Sequence, residues 1–154
     1  MINKVGIVVV TYNRLNLLKE VIEALRLQTY KDFQIVVVNN GSTDETPMWL
    51  SDQRDIYTIT QENLGGAGGF FTGMKYVVEN GFKYCWIMDD DVICDKNALV
   101  ELISAITAKA GIGFVCSNVL GIDGSPMNTP IVNMDSRSAL TGYEDYFDLS
   151  DYNM

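Results

Sequence analysis

The run Val5-Gly-Ile-Val-Val-Val10 carries no side chain that favours water. A half-buried edge strand alternates apolar with polar positions, whereas a continuous β-branched run suits a central strand covered on both faces. Covering both faces takes helices, and the chain supplies one at once. After Thr11-Tyr-Asn-Arg14, the residues Leu17, Leu18, Val21, Ile22 and Leu25 recur at helical spacing.

The same strand, loop and helix order then repeats. Phe33 to Val38 reads as a strand, Asn39-Asn-Gly-Ser-Thr-Asp44 as a dense turn, and Glu45 to Leu50 as a short helix. A weaker strand at Ile56 to Thr60 leads into Asn63-Leu-Gly-Gly-Ala-Gly-Gly69, predicted as a loop. From Phe70, an apolar stripe of Phe71, Met74, Val77 and Val78 predicts a helix stopped by Asn80-Gly81. Tyr84 to Met88 is the next strand and runs directly into Asp89-Asp-Asp91. Asp95 is the expected N-cap of a helix carrying Leu99, Leu102, Ile103 and Ile106, and Gly113 to Cys116 the expected strand after it. Alternation of this kind predicts an α/β, Rossmann-like fold: a mostly parallel central sheet with helices on both faces. Periodicity fades after Ser117, so the expected division is a ligand-binding part over 1–118 and a different region over 119–154.

A length of 154 residues fits one domain with a core able to stand alone. The formal net charge of −9 argues against nucleic acid as a partner, and any anionic ligand would need a cation or backbone N–H groups to hold it. Three cysteines without paired spacing, and no histidine, exclude a zinc site of the usual kind. Cys85 and Cys116 lie in apolar runs and are expected in the core. The first apolar run is too short for a signal peptide or a membrane span, so a cytoplasmic location is expected.

In a sheet of this type ligands collect beyond the C-terminal strand ends, and the three loops richest in polar residues and glycine fall there. Three adjacent carboxylates at the tip of an apolar strand repel one another. In an extended backbone the first and third point to one side, so Asp89 and Asp91 could share a divalent ion; the plainer alternative is a solvated turn with a helix cap. Asn40 could offer its amide to a pyrimidine edge, or the Asn39–Asp44 segment could be only an Asx-type turn. The glycine run would let backbone approach a phosphate or sugar, or would simply turn tightly; it follows the third strand, not the first, which disfavours a nicotinamide or flavin cofactor. Arg14 could pair with a diphosphate or remain solvated.

Four segments, Val8-Val-Val-Thr-Tyr-Asn-Arg14, Val36-Val-Val-Asn-Asn-Gly-Ser-Thr-Asp-Glu-Thr46, Asn63-Leu-Gly-Gly-Ala-Gly-Gly-Phe70 and Met88-Asp-Asp-Asp-Val92, together resemble the family 2 glycosyltransferases of the GT-A fold. The last two look most like the galactofuranosyltransferase and rhamnosyltransferase branch. The resemblance implies a UDP- or dTDP-sugar donor, Mn²⁺ or Mg²⁺ bridging the diphosphate to Asp89 and Asp91, and inverting transfer onto a glycan or lipid-linked acceptor. It places Thr11, Arg14, Asn40 and Asp44 around the nucleotide and Gly65, Gly66 and Asp90 along the donor sugar, with Tyr12 and Asn63 completing the nucleotide-sugar set. Peripheral membrane association is left open for a full-length enzyme. Two departures stand out: the family often has Asp-Asp where this chain has Asn39-Asn40, and its Trp-x-Asp-Asp-x-Glu-like stretch with the general base is missing. Glu144 and Asp145 are weak substitutes, so the base is expected beyond the chain end. Competing readings are a nucleotidyltransferase making an activated sugar, which would want a Gly- and basic-rich first loop, and a non-catalytic module binding metal or nucleotide.

Overall fold

The computed structural model describes residues 5–121 and 123–127. By compactness the chain divides into Met1–Val115 and Cys116–Met154.

The first unit holds four strands, β1 (Val5–Thr11), β2 (Phe33–Asn39), β3 (Ile56–Thr60) and β4 (Tyr84–Asp89), and four helices, α1 (Leu15–Arg26), α2 (Thr46–Ser51), α3 (Gly65–Glu79) and α4 (Ala98–Ala108). The strands pair in parallel in the order β3-β2-β1-β4. β1 lies between β2 and β4, as its uninterrupted apolar run requires, and every one of its residues is buried.

Strand parity divides the core. Val5, Ile7 and Val9 face the layer containing Leu18, Val21, Ile22 and Leu25 of α1, Leu50 of α2 and Leu99 of α4. Val8 and Val10 face the opposite layer, where Val36 and Val38 of β2 meet Val77 of α3. The helix on that side approaches very closely. A Cβ built on Gly73 would overlap Val8 Cγ1, one on Gly6 would overlap Val77 Cγ2, and one on Gly69 would lie 2.5 Å from Val10 Cγ1.

This packing corrects the expectation that the glycine run is a loop and that the helix begins at Phe70. The helix begins at Gly65, and Gly69 and Gly73 are where it rests on β1. Glycine's weak helix propensity costs up to about 1 kcal/mol per position, and the strand contact outweighs it.

Three further expectations change. Asn97, not Asp95, occupies the cap of α4. Asp95 instead closes the preceding turn: its Oδ1 accepts the Asn97 N–H at 2.8 Å and its carbonyl accepts the Ala98 N–H at 2.9 Å. Residues 113–116 pair with no strand among the described residues. The strand found later, β5 (Val119–Leu120), pairs antiparallel with β6 (Pro126–Met127) in the second unit. Cys85 and Cys116 are exposed, not in the core. For Cys85 the cause is parity: it sits opposite Gly6, on the face of β4 that also carries exposed Ile87 and Asp89, while Met88 and the partly buried Tyr84 and Trp86 join the other layer.

One buried polar side chain fastens the segment that follows the aspartates. Gln28, just past the end of α1, is 0% exposed; its Nε2 donates to the Asp95 carbonyl at 2.6 Å and its Oε1 accepts the Leu99 N–H at 3.0 Å. Beside it the Thr29 N–H donates to the Lys96 carbonyl at 2.8 Å. Gln28→Ala is expected to strand the buried Leu99 N–H and to leave the part-buried Asp95 carbonyl to water, costing about 1–3 kcal/mol for the stranded N–H. Urea unfolding with unchanged m-value checks it; a loss below about 1 kcal/mol would show that water replaces the amide.

Candidate functional site

The loops after β1, β2, β3 and β4 all emerge at the C-terminal edge of the parallel sheet. Successive hydrogen bonds join them. At the centre is Thr11, the last residue of β1, almost fully buried. Its carbonyl accepts the Asn40 N–H at 2.9 Å, and its hydroxyl donates to Asp90 Oδ2 at 2.7 Å.

The aspartate triplet does not follow the extended path assumed from sequence. β4 ends at Asp89 and the chain turns through Asp90 and Asp91, so strand alternation no longer governs their directions. Asp89 is exposed. Asp90 turns inward and is 3% exposed. Arg14 Nη1 lies 3.3 Å from Asp90 Oδ1 and 3.2 Å from Asp91 Oδ2, so one guanidinium spans two of the three carboxylates. Desolvation at the strand tip lifts the Asp89 carboxyl above its ordinary pKa, the charges of Asp91 and Asp90 lift it further, and Arg14 opposes them. The tip is therefore short of positive charge.

Among the described residues no three His, Cys, Asp or Glu side chains are grouped to hold a metal by themselves. An open site remains chemically suitable, since Mg²⁺ commonly takes one or two carboxylates and fills its shell with water and substrate phosphates.

The asparagine loop is more internally committed than its sequence suggests. Asn39 Oδ1 accepts the Ser42 N–H, three residues on, at 2.9 Å and so closes the turn, while its buried Nδ2 has no hydrogen-bond partner among the described residues. Asn40 is 2% exposed. Its Nδ2 donates to the Gly65 carbonyl at 2.9 Å and to Asn63 Oδ1 at 3.3 Å, and its Oδ1 accepts from Gln61 Nε2 at 2.8 Å. Here the amide holds the glycine-rich segment to β2, and pairing with a base would require exchanging these bonds. Asp44 Oδ1 accepts the Thr46 N–H at 3.0 Å. Desolvation raises the Asp44 carboxyl, but hydrogen bonding from Thr46 and the Leu15 N–H outweighs it and leaves the carboxyl below its ordinary pKa.

At the start of α3, Gly65 has φ +71°, a backbone conformation natural to glycine, and its N–H donates to Asn63 Oδ1 at 2.9 Å. A Cβ built on Gly65 or Gly66 would meet nothing within 4 Å, in contrast to Gly69 and Gly73 in the same helix. The run thus has two uses: an open first turn at the rim and a tight contact beneath it. Tyr12 is exposed beside Thr11. Glu144 and Asp145 lie outside the described residues.

Two residues of the network had no role assigned from sequence. Asn13, at φ +54°, accepts the Thr43 N–H at 2.7 Å through Oδ1 and donates its own N–H to Ser42 Oγ at 3.0 Å, joining the first loop to the second. Asparagine is among the few non-glycine residues that tolerate this backbone region, which was the available clue. Gln61 bridges Asn40 and the Thr72 hydroxyl, which donates to Gln61 Oε1 at 2.7 Å.

Known proteins place this rim in context. Galactofuranosyltransferase GlfT1 of Mycobacterium tuberculosis H37Rv is 33% identical over 127 residues, covering 80% of this chain and 42% of that protein. Glycosyltransferase GlyA of Streptococcus pneumoniae serotype 4 is 35% identical over 108 residues, 64% of this chain and 15% of its own length. This chain therefore spans less than half the length of either relative. Among solved structures, mannosyltransferase PcManGT from Pyrobaculum calidifontis in complex with GDP-Man and Mn²⁺ superposes with TM-score 0.63 at 23% identity, over 71% of this chain and 34% of that one. S. aureus TarS 1-349 in complex with UDP-GlcNAc gives 0.61 at 22% identity, over 75% and 38%. These likenesses show the GT-A, Rossmann-like fold. The pattern described as Glycosyl transferase family 2 matches residues 6–149, nearly the whole chain, and with the relatives it shows that this chain belongs to the family 2 glycosyltransferases.

Proposed function

We propose that this chain forms the donor side of a metal-dependent, inverting glycosyltransferase that moves a sugar from a UDP- or dTDP-sugar to a glycan or lipid-linked acceptor. The observation that supports it most is the connected line from Asp91 through Arg14, Asp90, Thr11 and Asn40 to Gly65. That line joins an acidic tip to an open glycine turn, the two features a nucleotide diphosphate and its counter-ion need side by side.

In this reading Asp89 and Asp91 hold Mn²⁺ or Mg²⁺, as the charge shortage at the tip favours. The ion, when bound, supplies Lewis-acid neutralisation of the leaving diphosphate. Tyr12, Arg14, Asp44 and Asn63 border the nucleotide. Gly65, Gly66 and Asp90 border the sugar, where Gly65 and Gly66 leave room and Thr11 fixes the Asp90 carboxylate. The solved neighbours with bound GDP-Man and Mn²⁺, or with UDP-GlcNAc, support a nucleotide-sugar donor. The acceptor side and general base are assigned to the stretch beyond residue 118, where Glu144 and Asp145 are the candidates in this chain. A carboxylate there would take the acceptor hydroxyl proton as the hydroxyl attacks the anomeric carbon opposite the departing diphosphate. A cytoplasmic location belongs to this reading. Among the described residues no helix is long and apolar enough to cross a membrane.

Calorimetric titration of UDP into the protein, with Mn²⁺ and then with chelator, tests the reading. Binding about tenfold or more tighter with Mn²⁺, at least about 1.4 kcal/mol, is the expected result. Equal affinity in both conditions would remove the metal-bridged donor site.

A further inference from the structure

Arg14 already places a cation on the acidic tip, and it holds its two partners unequally. The Asp90 side chain is 5% exposed and is also held by the Thr11 hydroxyl at 2.7 Å. The Asp91 side chain is 49% exposed, and its ion pair among the described residues is with Arg14. The Arg14 side chain is 53% exposed, so solvent reaches it from outside the pair's buried member. Its long stem can swing while the backbone, already committed as the entry to α1 through the Arg14 carbonyl and the Leu18 N–H, stays in place.

A divalent ion approaching Asp91 competes for the carboxylate whose Oδ2 Arg14 Nη1 contacts, and brings twice the charge of a guanidinium. The two cations repel at contact distance and cannot both use Asp91 fully. A nucleoside diphosphate reverses the balance, because its oxygens accept from a guanidinium in the forked geometry that suits arginine better than lysine.

We propose that Arg14 is a charge-exchange residue: it neutralises the Asp90–Asp91 pair in the free protein, yields Asp91 to an incoming divalent ion, and turns its guanidinium onto the nucleoside diphosphate that arrives with the ion. This rests on the donor-site reading and deepens it by giving one side chain opposite effects on two ligands. Arg14 opposes the metal when it comes alone and favours the nucleotide once the metal is bound. A residue serving only as a diphosphate clamp would leave metal binding untouched. One serving only to hold the loop would weaken both ligands together.

The test is a Mn²⁺ titration of the whole chain without nucleotide, reading the free ion by electron paramagnetic resonance, followed by UDP titration at saturating Mn²⁺. Arg14→Met is expected to bind Mn²⁺ alone about three- to tenfold more tightly and UDP about tenfold more weakly, a coupling of ordinary size between two ligands. Arg14→Lys keeps the charge without the fork. It should hold Mn²⁺ affinity within about twofold of the parent while still losing UDP affinity. Thermal unfolding confirms that each variant is folded, and Arg14→Gln, which also removes the charge, takes the place of Arg14→Met should the latter not fold. Mn²⁺ affinity unchanged or reduced in Arg14→Met overturns the exchange, as does UDP affinity unchanged or increased. Failure of the donor-site reading shows separately, in the parent protein, as UDP binding indifferent to Mn²⁺.

Discussion

Gly73→Val is expected to destabilise the protein by about 3 kcal/mol or more, enough to leave much of it unfolded if its total stability lies at the low end of the ordinary range. Gly73 lies midway along α3, facing Val8 of β1 and Val38 of β2, both fully buried. A Cβ there would overlap Val8 Cγ1 and lie 3.2 Å from Val38 Cγ2. β1 cannot retreat, because β2 and β4 grip it on either side and α1 packs behind it. The helix must therefore lift, and the Gly69 and Val77 contacts lift with it. Helix propensity pulls the other way: replacing a helical glycine gains at most about 1 kcal/mol, less than the roughly 1–3 kcal/mol that overpacking by even small groups costs. Gly66→Ala makes the control, since its new Cβ meets open space and should stabilise by about 0.5 to 1 kcal/mol. Urea unfolding followed by tryptophan fluorescence gives both values. Equal stability of Gly73→Val and the parent would show that the close helix–strand approach is not obligatory.

The largest functional effect should come from removing the outer aspartates together. Asp89→Ala with Asp91→Ala is expected to abolish the Mn²⁺-dependent part of UDP binding, a loss of about tenfold or more by calorimetry. Stability should hold or rise slightly, because both residues are exposed and Asp89 is already penalised by its like-charged neighbours. Asp90→Ala should behave differently. It takes the acceptor from the buried Thr11 hydroxyl and is expected to cost about 1–3 kcal/mol of folding stability. A double variant that keeps its Mn²⁺-dependent affinity would assign the ion elsewhere.

Much of this was legible before any coordinates. The unbroken apolar run at Val5 to Val10 required a central strand, and the helical stripe at Leu18, Val21, Ile22 and Leu25 required a helix to cover one side of it. Polar and glycine-rich segments after each strand marked the C-terminal rim. The aspartates, Arg14 and the asparagine loop stand out by those positions, and Thr11 by the family resemblance. Less legible were features that depend on what each residue meets. A glycine run reads as a loop until a strand is pressed against it. An amide such as Asn40 reads as a free ligand group until its loop neighbours take both ends. The capping role moved from Asp95 to Asn97 by a turn that no spacing rule distinguishes.

The sequence by itself determined the order of strands and helices, the parallel sheet and the edge of it that carries polar chemistry, because periodicity and turn residues act within a few positions along the chain. Only the tertiary structure decided that Gly65 and Gly66 stand open while Gly69 and Gly73 are pressed on β1, that Asp90 turns inward to Thr11, and that Arg14 spans two carboxylates 76 and 77 residues away. Those outcomes depend on which side chains distant in sequence come within a few ångströms, and close packing selects among them where local propensity is indifferent.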